Sequence, residues 1–225
     1  MAITTPISYW KLDGNSNDSI GGNNGTDTSI TYSSGNGKII QGAGYNGTTS
    51  SINAGSSTNL SFTSSFSYAA WVRITSGNTN TNRIIQKTNG SNYSYDFDIG
   101  AAGGGYLQMD CYLNSVVFYS RSSSQYNDGN WHFITAVINP ATGIKLYADG
   151  VEVSYSVTQG AFTLSGVTGN QYIGSNGAGN FVNGAIDEVG IWNVALTAAE
   201  VTELYNSGAG LQYPFTTKSA MMAFF

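Results

Sequence analysis

Three features of the sequence predict an all-β sandwich. Strand-like runs alternate with clusters of Gly, Asn and Ser along almost the whole chain, at the spacing typical of a sandwich or barrel. Helical periodicity is nearly absent, and aromatic residues make up 13% of the chain, enough to fill the space between two sheets. Because one sandwich commonly reaches 225 residues, we expect a single domain.

The run from Phe66 to Ile74 has the clearest strand pattern. Alternate residues of a strand point to opposite faces, so its apolar residues share one face while Trp71 and Arg73 lie on the other. This pattern predicts a central strand. Further strands are predicted over 83–87, 93–99, 106–113, 116–119, 131–138, 144–148, 172–174 and 184–192, with Asp149-Gly150 as a hairpin turn.

One short helix is predicted over 198–206. Thr197 and Glu200 have the spacing of a capping box, in which each side chain bonds the other residue's backbone N–H. Gly208 or Gly210 supplies the stop signal. We expect this helix to cover one end of the sandwich.

The charge pattern excludes several classes of function. Eight Lys and Arg residues against thirteen Asp and Glu residues give a net charge of −5 without a basic run, which argues against nucleic-acid binding. The single cysteine, Cys111, excludes an intramolecular disulfide and a cysteine-based zinc site. No stretch approaches 18 apolar residues and the N-terminus lacks the pattern of a signal peptide, so neither membrane insertion nor signal-directed export is expected.

Several segments in succession resemble one known family. They are Tyr9-Trp10-Lys11-Leu12-Asp13-Gly14, Asp128-Gly129-Asn130-Trp131-His132, Lys145-Leu146-Tyr147-Ala148-Asp149-Gly150, and the run from Phe181 to Asn193. In order and spacing they are similar to concanavalin A-like, laminin-G-like domains of bacterial surface proteins and phage virion proteins. The resemblance implies a two-sheet antiparallel jelly-roll sandwich over 1–213, followed by an apolar tail over 214–225.

Laminarinase-type glucanases resemble this fold, so catalysis needs a direct test. Those enzymes carry Glu-x-Asp-x-x-Glu on one strand. None of the four glutamates here, which are Glu152, Glu188, Glu200 and Glu203, begins that motif. The laminarinase-type catalytic motif is therefore absent, which favours a non-catalytic module.

The strongest carboxylate cluster is Asp96 and Asp98, which strand alternation places on one face about 6.5–7 Å apart. Asp110 is expected on a neighbouring strand. We expect the same face to carry further sugar-binding side chains, namely Arg73, Gln108 and Tyr112. Three interpretations stay open at this point: a solvated strand face, a glycan-binding site, or the paired carboxylates of an inverting glycoside hydrolase.

The resemblance also implies a structural Ca²⁺, since many relatives bind one through an Asp near the C-terminal strand and oxygens near the first strand. Asp187 and Asp13 match those positions. Asn46 stands where the family usually has an Asp, which removes a charge from the expected site.

The C-terminal tail ends in a cluster of large apolar residues without strand or helix alternation: Met221, Met222, Phe224 and Phe225. Such an end favours an assembly contact with a sister subunit or another virion protein. The predicted function is thus a non-catalytic binding or structural module on a virion surface, in a capsid or a tail, with glycan binding as one interpretation of its β8 carboxylates. A free lectin or a bacterial surface adhesin is the alternative, and a glycoside hydrolase ranks behind both.

Overall fold

The computed structural model describes residues 3–90 and 93–215. Within these residues the strands form two antiparallel sheets that pack as a sandwich. This confirms the predicted fold class. The outer face of each sheet is defined here as the face that points away from the other sheet.

Sheet A has the strand order β13-β12-β11-β6-β16-β4-β3, and β1 also pairs with β16. Its strands are β1 (Ser8–Trp10), β3 (Thr31–Ser33), β4 (Gly42–Asn46), β6 (Phe66–Ile74), β11 (His132–Asn139), β12 (Gly143–Ala148), β13 (Val151–Glu152) and β16 (Asn183–Trp192). As predicted, β6 is central. Strands β11, β12 and β13 form a meander. Its last turn has Asp149 and Gly150 in the left-handed region, at φ 53° and 80°.

Sheet B has the strand order β14-β10-β9-β8-β7-β15-β5-β2. Its strands are β2 (Thr26–Thr28), β5 (Ser51–Asn53), β7 (Asn82–Thr88), β8 (Tyr93–Ala101), β9 (Tyr106–Leu113), β10 (Val116–Gln125), β14 (Tyr155–Val157) and β15 (Asn170–Ile173). The long hairpins from β7 to β10 bring four polar strand faces side by side on the outer face of this sheet.

The main core lies between the sheets. Phe66 of β6 meets Tyr95 of β8 with a ring-centroid distance of 4.9 Å. The other inward residues of β6 belong to the same buried cluster, as the alternation predicted. Burying such side chains stabilises the sandwich by roughly 1.5–3 kcal/mol each.

A second, smaller core lies on the outer face of sheet A. Trp71 and Trp192 pack there beneath α1 (Ala198–Tyr205), which contributes Val201 and Leu204. The predicted capping box is present, since Thr197 accepts a hydrogen bond from Glu200 N and the Glu200 side chain accepts one from Thr197 N. The helix therefore covers the outer face of sheet A rather than one end of the sandwich.

Candidate functional site

The outer face of sheet B carries three cross-strand rows of mainly polar side chains. On β8, Tyr95, Phe97 and Ile99 point into the main core, so Asp96 and Asp98 point outward. The strand register then aligns the rows across β15, β7, β8, β9 and β10. They are Tyr172-Gln86-Asp96-Asp110-Tyr119, then Arg83-Asp98-Gln108-Arg121, and Asn170-Thr88-Ser94-Tyr112-Val117.

Arg83 is the centre of a charge network within these rows. Its Nη1 lies 2.9 Å from Asp96 Oδ2 and 3.0 Å from Asp98 Oδ2. Gln86 Nε2 donates to Asp96 Oδ1 at 2.7 Å. Next to this group, Gln108 donates to both oxygens of Asp110 and accepts from Arg121 Nε. The guanidinium of Arg83 therefore faces the carboxylates of Asp96 and Asp98. The side-chain amides of Gln86 and Gln108 donate to Asp96 and Asp110.

This network is buried, which corrects the interpretation of the β8 carboxylates as a solvated strand face. Asp98 is 2% exposed, Asp96 9% and Arg83 8%. Burial raises the pKa of Asp98 well above its ordinary value even though Arg83 opposes the shift. Burial alone would lower the pKa of Arg83, but the charges of Asp98 and Asp96 raise it instead. Asp98 and Arg83 thus act mainly on each other.

A polar groove opens beside the network. It consists of two adjoining recesses of about 360 and 330 Å³ that share Thr88, Gly90, Asn176 and Ala178 in their walls. The first recess is also lined by Arg83, Gln86, Ser94 and Asp96, and the second by Asn89, Gly169, Asn170, Tyr172 and Gly177. These two recesses together are called the sheet B groove below.

The wall of the groove is shaped by a tight turn after β15. Asn176 Oδ1 accepts hydrogen bonds from the backbone N–H groups of Ala178 and Gly179. Gly177 has φ +82°, and a Cβ there would stand 2.5 Å from Tyr172 Cζ. Only glycine allows the turn to lie this close to the Tyr172 ring. The Tyr172 hydroxyl accepts a hydrogen bond from Asn170 Nδ2 at 3.1 Å, which orients the ring beside two amides.

The structure brings together most of the predicted ligand-binding residues. Asp96, Asp98, Gln108 and Asp110 lie in adjacent positions on one face, and Tyr112 lies directly opposite Ser94 of the groove wall. Arg73 does not join them, and its predicted place on this face was wrong. It lies on β6, which pairs with β11 and β16 of sheet A, so it projects from the opposite side of the sandwich.

Of the groove residues only Asp96 was predicted from the sequence; those missed include Arg83, Gln86, Asn170, Tyr172 and Asn176. In Arg83-Ile84-Ile85-Gln86 the two polar residues are three apart, a spacing that strand alternation alone assigns to opposite faces. A register shift between Arg83 and Ile85 restores them to one face. Tyr172 lies in a predicted strand, and in the structure it alternates with the buried Gln171 and Ile173, which places it on the outward face.

The residues predicted to bind calcium do not converge. Asn46 lies opposite Asn183, four residues along β16 from Asp187, about 13 Å at the strand rise. Its Oδ1 accepts from the N–H groups of the turn 48–50. Among residues 3–90 and 93–215, no group of three His, Cys, Asp or Glu side chains is placed to bind a metal ion. The set Asp13, Asn46 and Asp187 therefore does not fit one ion.

Asp13 and Asp187 instead belong to a cluster with Glu188, satisfied by protein donors. Gln212 Nε2 donates to Asp13 Oδ2 and Glu188 Oε1 at 2.7 and 2.6 Å, and Tyr9 donates its hydroxyl to Glu188 Oε2. Asp187 accepts from the N–H groups of Lys38, Ile39 and Glu188. Burial raises the pKa of Asp187 to about 7 and that of Glu188 to about 8.

The predicted assembly residues Met221, Met222, Phe224 and Phe225 lie outside the described residues. The start of the predicted tail does contact the domain: the Phe215 ring lies 5.5 Å from that of Tyr9 and 6.5 Å from that of Trp192. No helix in the described part of the chain is long and apolar enough to span a membrane.

Comparison with known families agrees with the architecture. A family model described as the concanavalin A-like lectin/glucanases superfamily matches residues 46–202, more than half of the 225-residue chain. A search of the curated proteins found no match.

Solved structures share the fold at low sequence identity. Domain 4 of AbnA, a GH43 extracellular arabinanase from Geobacillus stearothermophilus solved with arabinotriose, has a TM-score of 0.71 at 22% identity, over 89% of this chain and 98% of that domain. The binding domain of Paraclostridial Mosquitocidal Protein 1 has a TM-score of 0.70 at 19% identity, over 89% of this chain and 51% of that one.

The botulinum neurotoxin serotype G binding domain has a TM-score of 0.68 at 17% identity, over 89% of this chain and 50% of that one. The chain thus spans about half the length of each of these two toxin domains. At such identities the likeness establishes the fold alone.

Proposed function

Because the chain belongs to the concanavalin A-like lectin/glucanase superfamily, we propose that it is a non-catalytic glycan-binding module whose ligand lies in the sheet B groove. The observation that carries the proposal is the grouping of the Tyr172 ring, the Asn170 and Asn176 amides and the Asp96 carboxylate around one open groove. Sugar sites combine an aromatic plane with a few oriented polar groups in this way.

Asp96 is the polar anchor of the proposed site. Its Oδ1 accepts from Gln86 and its Oδ2 faces Arg83, so the carboxylate is fixed in orientation. A carboxylate oxygen has two lone pairs, so each oxygen retains capacity for a ligand hydroxyl. Because these partners already fix the Asp96 side chain, less side-chain conformational entropy is lost when a sugar binds.

The charge balance favours a neutral glycan. Arg83 is the one cation among the described lining residues, and its charge is already opposed by Asp96 and Asp98. An acidic sugar would meet Asp96 without an unpaired cation to compensate it, which opposes binding.

The burial of Asp98 argues against a hydrolytic role for the β8 carboxylates. A catalytic acid or base must reach the substrate within hydrogen-bond distance. Asp98, at 2% exposure, cannot present its carboxyl to a sugar while Arg83 and its neighbours stay in place. The hydrolase alternative predicts release of reducing ends from a bound oligosaccharide, and we expect none.

The proposed setting is the outside of a virion or cell, where the module would be attached to sister subunits or to another virion protein. Charged residues are only 9% of the chain, so its surface is rich in hydroxyl and amide groups. Such a composition suits an exposed binding or spacer domain. The Ca²⁺ implied by the family resemblance stays a prediction that no contact of Asp13 or Asp187 supports; a melting temperature unchanged by chelation would rule it out.

The test is binding to an array of neutral oligosaccharides that includes arabinotriose, the ligand named for the AbnA domain. Tyr172→Ala should weaken the strongest interaction about tenfold or more, the factor for ~1.4 kcal/mol of lost ring contact. Tyr119→Ala is the matched control, because Tyr119 lies on the same face two strands from Asp96 and lines neither recess. Equal binding by the two variants, or no binding by the wild type, would contradict the proposal.

A further inference from the structure

A second cleft lies on the outer face of sheet A, on the side of the sandwich opposite the sheet B groove. It has a volume of about 460 Å³, and its walls include Asn36, Arg73, Thr75, Gly129, Asn183 and Gly184. Arg73 lies near the end of β6, Thr75 directly follows that strand, and Asn183 begins the adjacent strand β16. Thr75 donates its hydroxyl to Asn183 Oδ1 at 3.2 Å, which joins the two strands at this wall.

Small residues form the sheet surface beside Arg73. The register places Ala185 opposite Arg73 and Gly44 opposite Ala185. A Cβ on Gly44 would come within 2.2 Å of Asn36 Nδ2, so the glycine allows the Asn36 amide to lie against the sheet. The strands therefore supply one part of the cleft wall, and Asn36 and Gly129 of the connecting segments supply another.

Arg73 is held in place without a carboxylate partner. Its Nη2 donates to the Gly35 carbonyl at 2.8 Å, and its guanidinium carbon lies 5.2 Å from the centre of the Trp131 ring. Among the described residues no carboxylate forms an ion pair with it. Asp128, which precedes Gly129 of the wall, directs its carboxylate to Asn130 and His132.

Within the described part of the chain, the Gly35 carbonyl is the one acceptor that bonds the oriented Arg73 guanidinium, which suits its other N–H donors to a planar carboxylate. The hydroxyl of Thr75 and the amides of Asn36 and Asn183 supply neutral partners for sugar hydroxyls. A single unpaired positive charge matches a ligand with one negative charge.

We propose that the sheet A cleft is a second saccharide site, selective for sugars that carry a carboxylate, and that Arg73 is its specificity-determining residue. This site is independent of the sheet B groove, whose ligand is proposed to be neutral. The chain would then bind neutral and acidic sugars on its two opposite faces.

The experiment is an NMR titration of the full chain with methyl β-D-glucuronide and, separately, with the methyl ester of the same sugar. The ester has the same ring and hydroxyls but no charge. We expect the carboxylate form to perturb Arg73, Thr75 and Asn183 and to bind about tenfold or more tightly than the ester, as removal of a charged hydrogen bond implies.

Arg73→Gln should remove that preference, while Arg73→Lys, which keeps the charge but not the planar fork, should retain part of it. Arg121→Gln on sheet B is the matched control and should bind like the wild type. Equal affinity for acid and ester, or full binding by Arg73→Gln, would overturn the proposal. Inorganic sulfate binding as tightly as the glucuronide would also overturn it, because the site would then recognise an anion rather than a sugar.

Discussion

Arg83 and Arg73 lie on strands of the two opposing sheets, and they differ in whether their charge is paired within the protein. Arg83 is buried between Asp96 and Asp98, so its charge is used inside the protein. Arg73 is half-buried, stacked near Trp131 and bonded to a backbone carbonyl, so its charge is still available to a ligand. Residue type alone therefore does not identify a cation that can bind a ligand. Whether an arginine is available depends on whether neighbouring carboxylates already pair with it.

The largest expected difference is in stability. Arg83→Met should lower the free energy of unfolding by about 3–5 kcal/mol, because it leaves two buried carboxylates without their cation. Arg73→Met should cost under about 1 kcal/mol, since no buried charge loses a partner. Urea unfolding followed by tryptophan fluorescence measures both. Similar losses in the two variants would show that the two arginines are not distinguished as described.

A second prediction concerns Glu188 and Asp187, buried carboxylates that form no ion pair with a described residue. Burial raises the pKa of Glu188 to about 8, above its unfolded value near 4.5. A raised folded pKa contributes stability that is fully present below the unfolded pKa and is lost as the pH rises through the folded pKa. Stability should thus fall between about pH 4.5 and 8, by about 4 kcal/mol.

Glu188→Gln should flatten that decline, because the variant has no proton to lose at this position. Asp187, whose pKa is about 7, should account for part of the slope that remains. Thermal unfolding of both proteins at several pH values between 4.5 and 8 provides the test. Parallel pH profiles for wild type and variant would contradict the assignment to Glu188.

The smallest effect is expected for an exposed ion pair. Lys145 Nζ lies 2.9 Å from Glu152 Oε2, as close as Arg83 is to Asp96, but the two side chains are 53% and 38% exposed. Lys145→Gln should cost no more than about 0.5 kcal/mol, since water screens the pair. A loss comparable to that of Arg83→Met would mean that distance, rather than burial, sets the value of these pairs.

Much of the fold was predictable because it depends on local patterns. The alternation in β6 and the Thr197–Glu200 capping box each involve neighbours in sequence, and both are present. Alternation also assigned Asp96 and Asp98 correctly to one outward face.

The site was less predictable because it depends on which strands become neighbours. Alternation places Arg73 on the side of β6 away from the core, but it does not specify that β6 belongs to the other sheet. The burial of Asp98 likewise depends on Arg83, which reaches it through pairing of β7 with β8 and a register shift in β7. Tyr172 lines the groove from β15, about 75 residues after Asp96 in the chain, because β15 pairs with β7.

The most direct test of the account is to map where a neutral oligosaccharide binds. The tightest ligand from the neutral array should be titrated into the isotope-labelled chain and followed by NMR. We predict that the largest shift changes fall on Tyr172, Asn176 and Asp96, with Arg73 unaffected. Changes centred on the sheet A cleft, or on loops remote from both faces, would contradict the assignment of the sheet B groove as the glycan site.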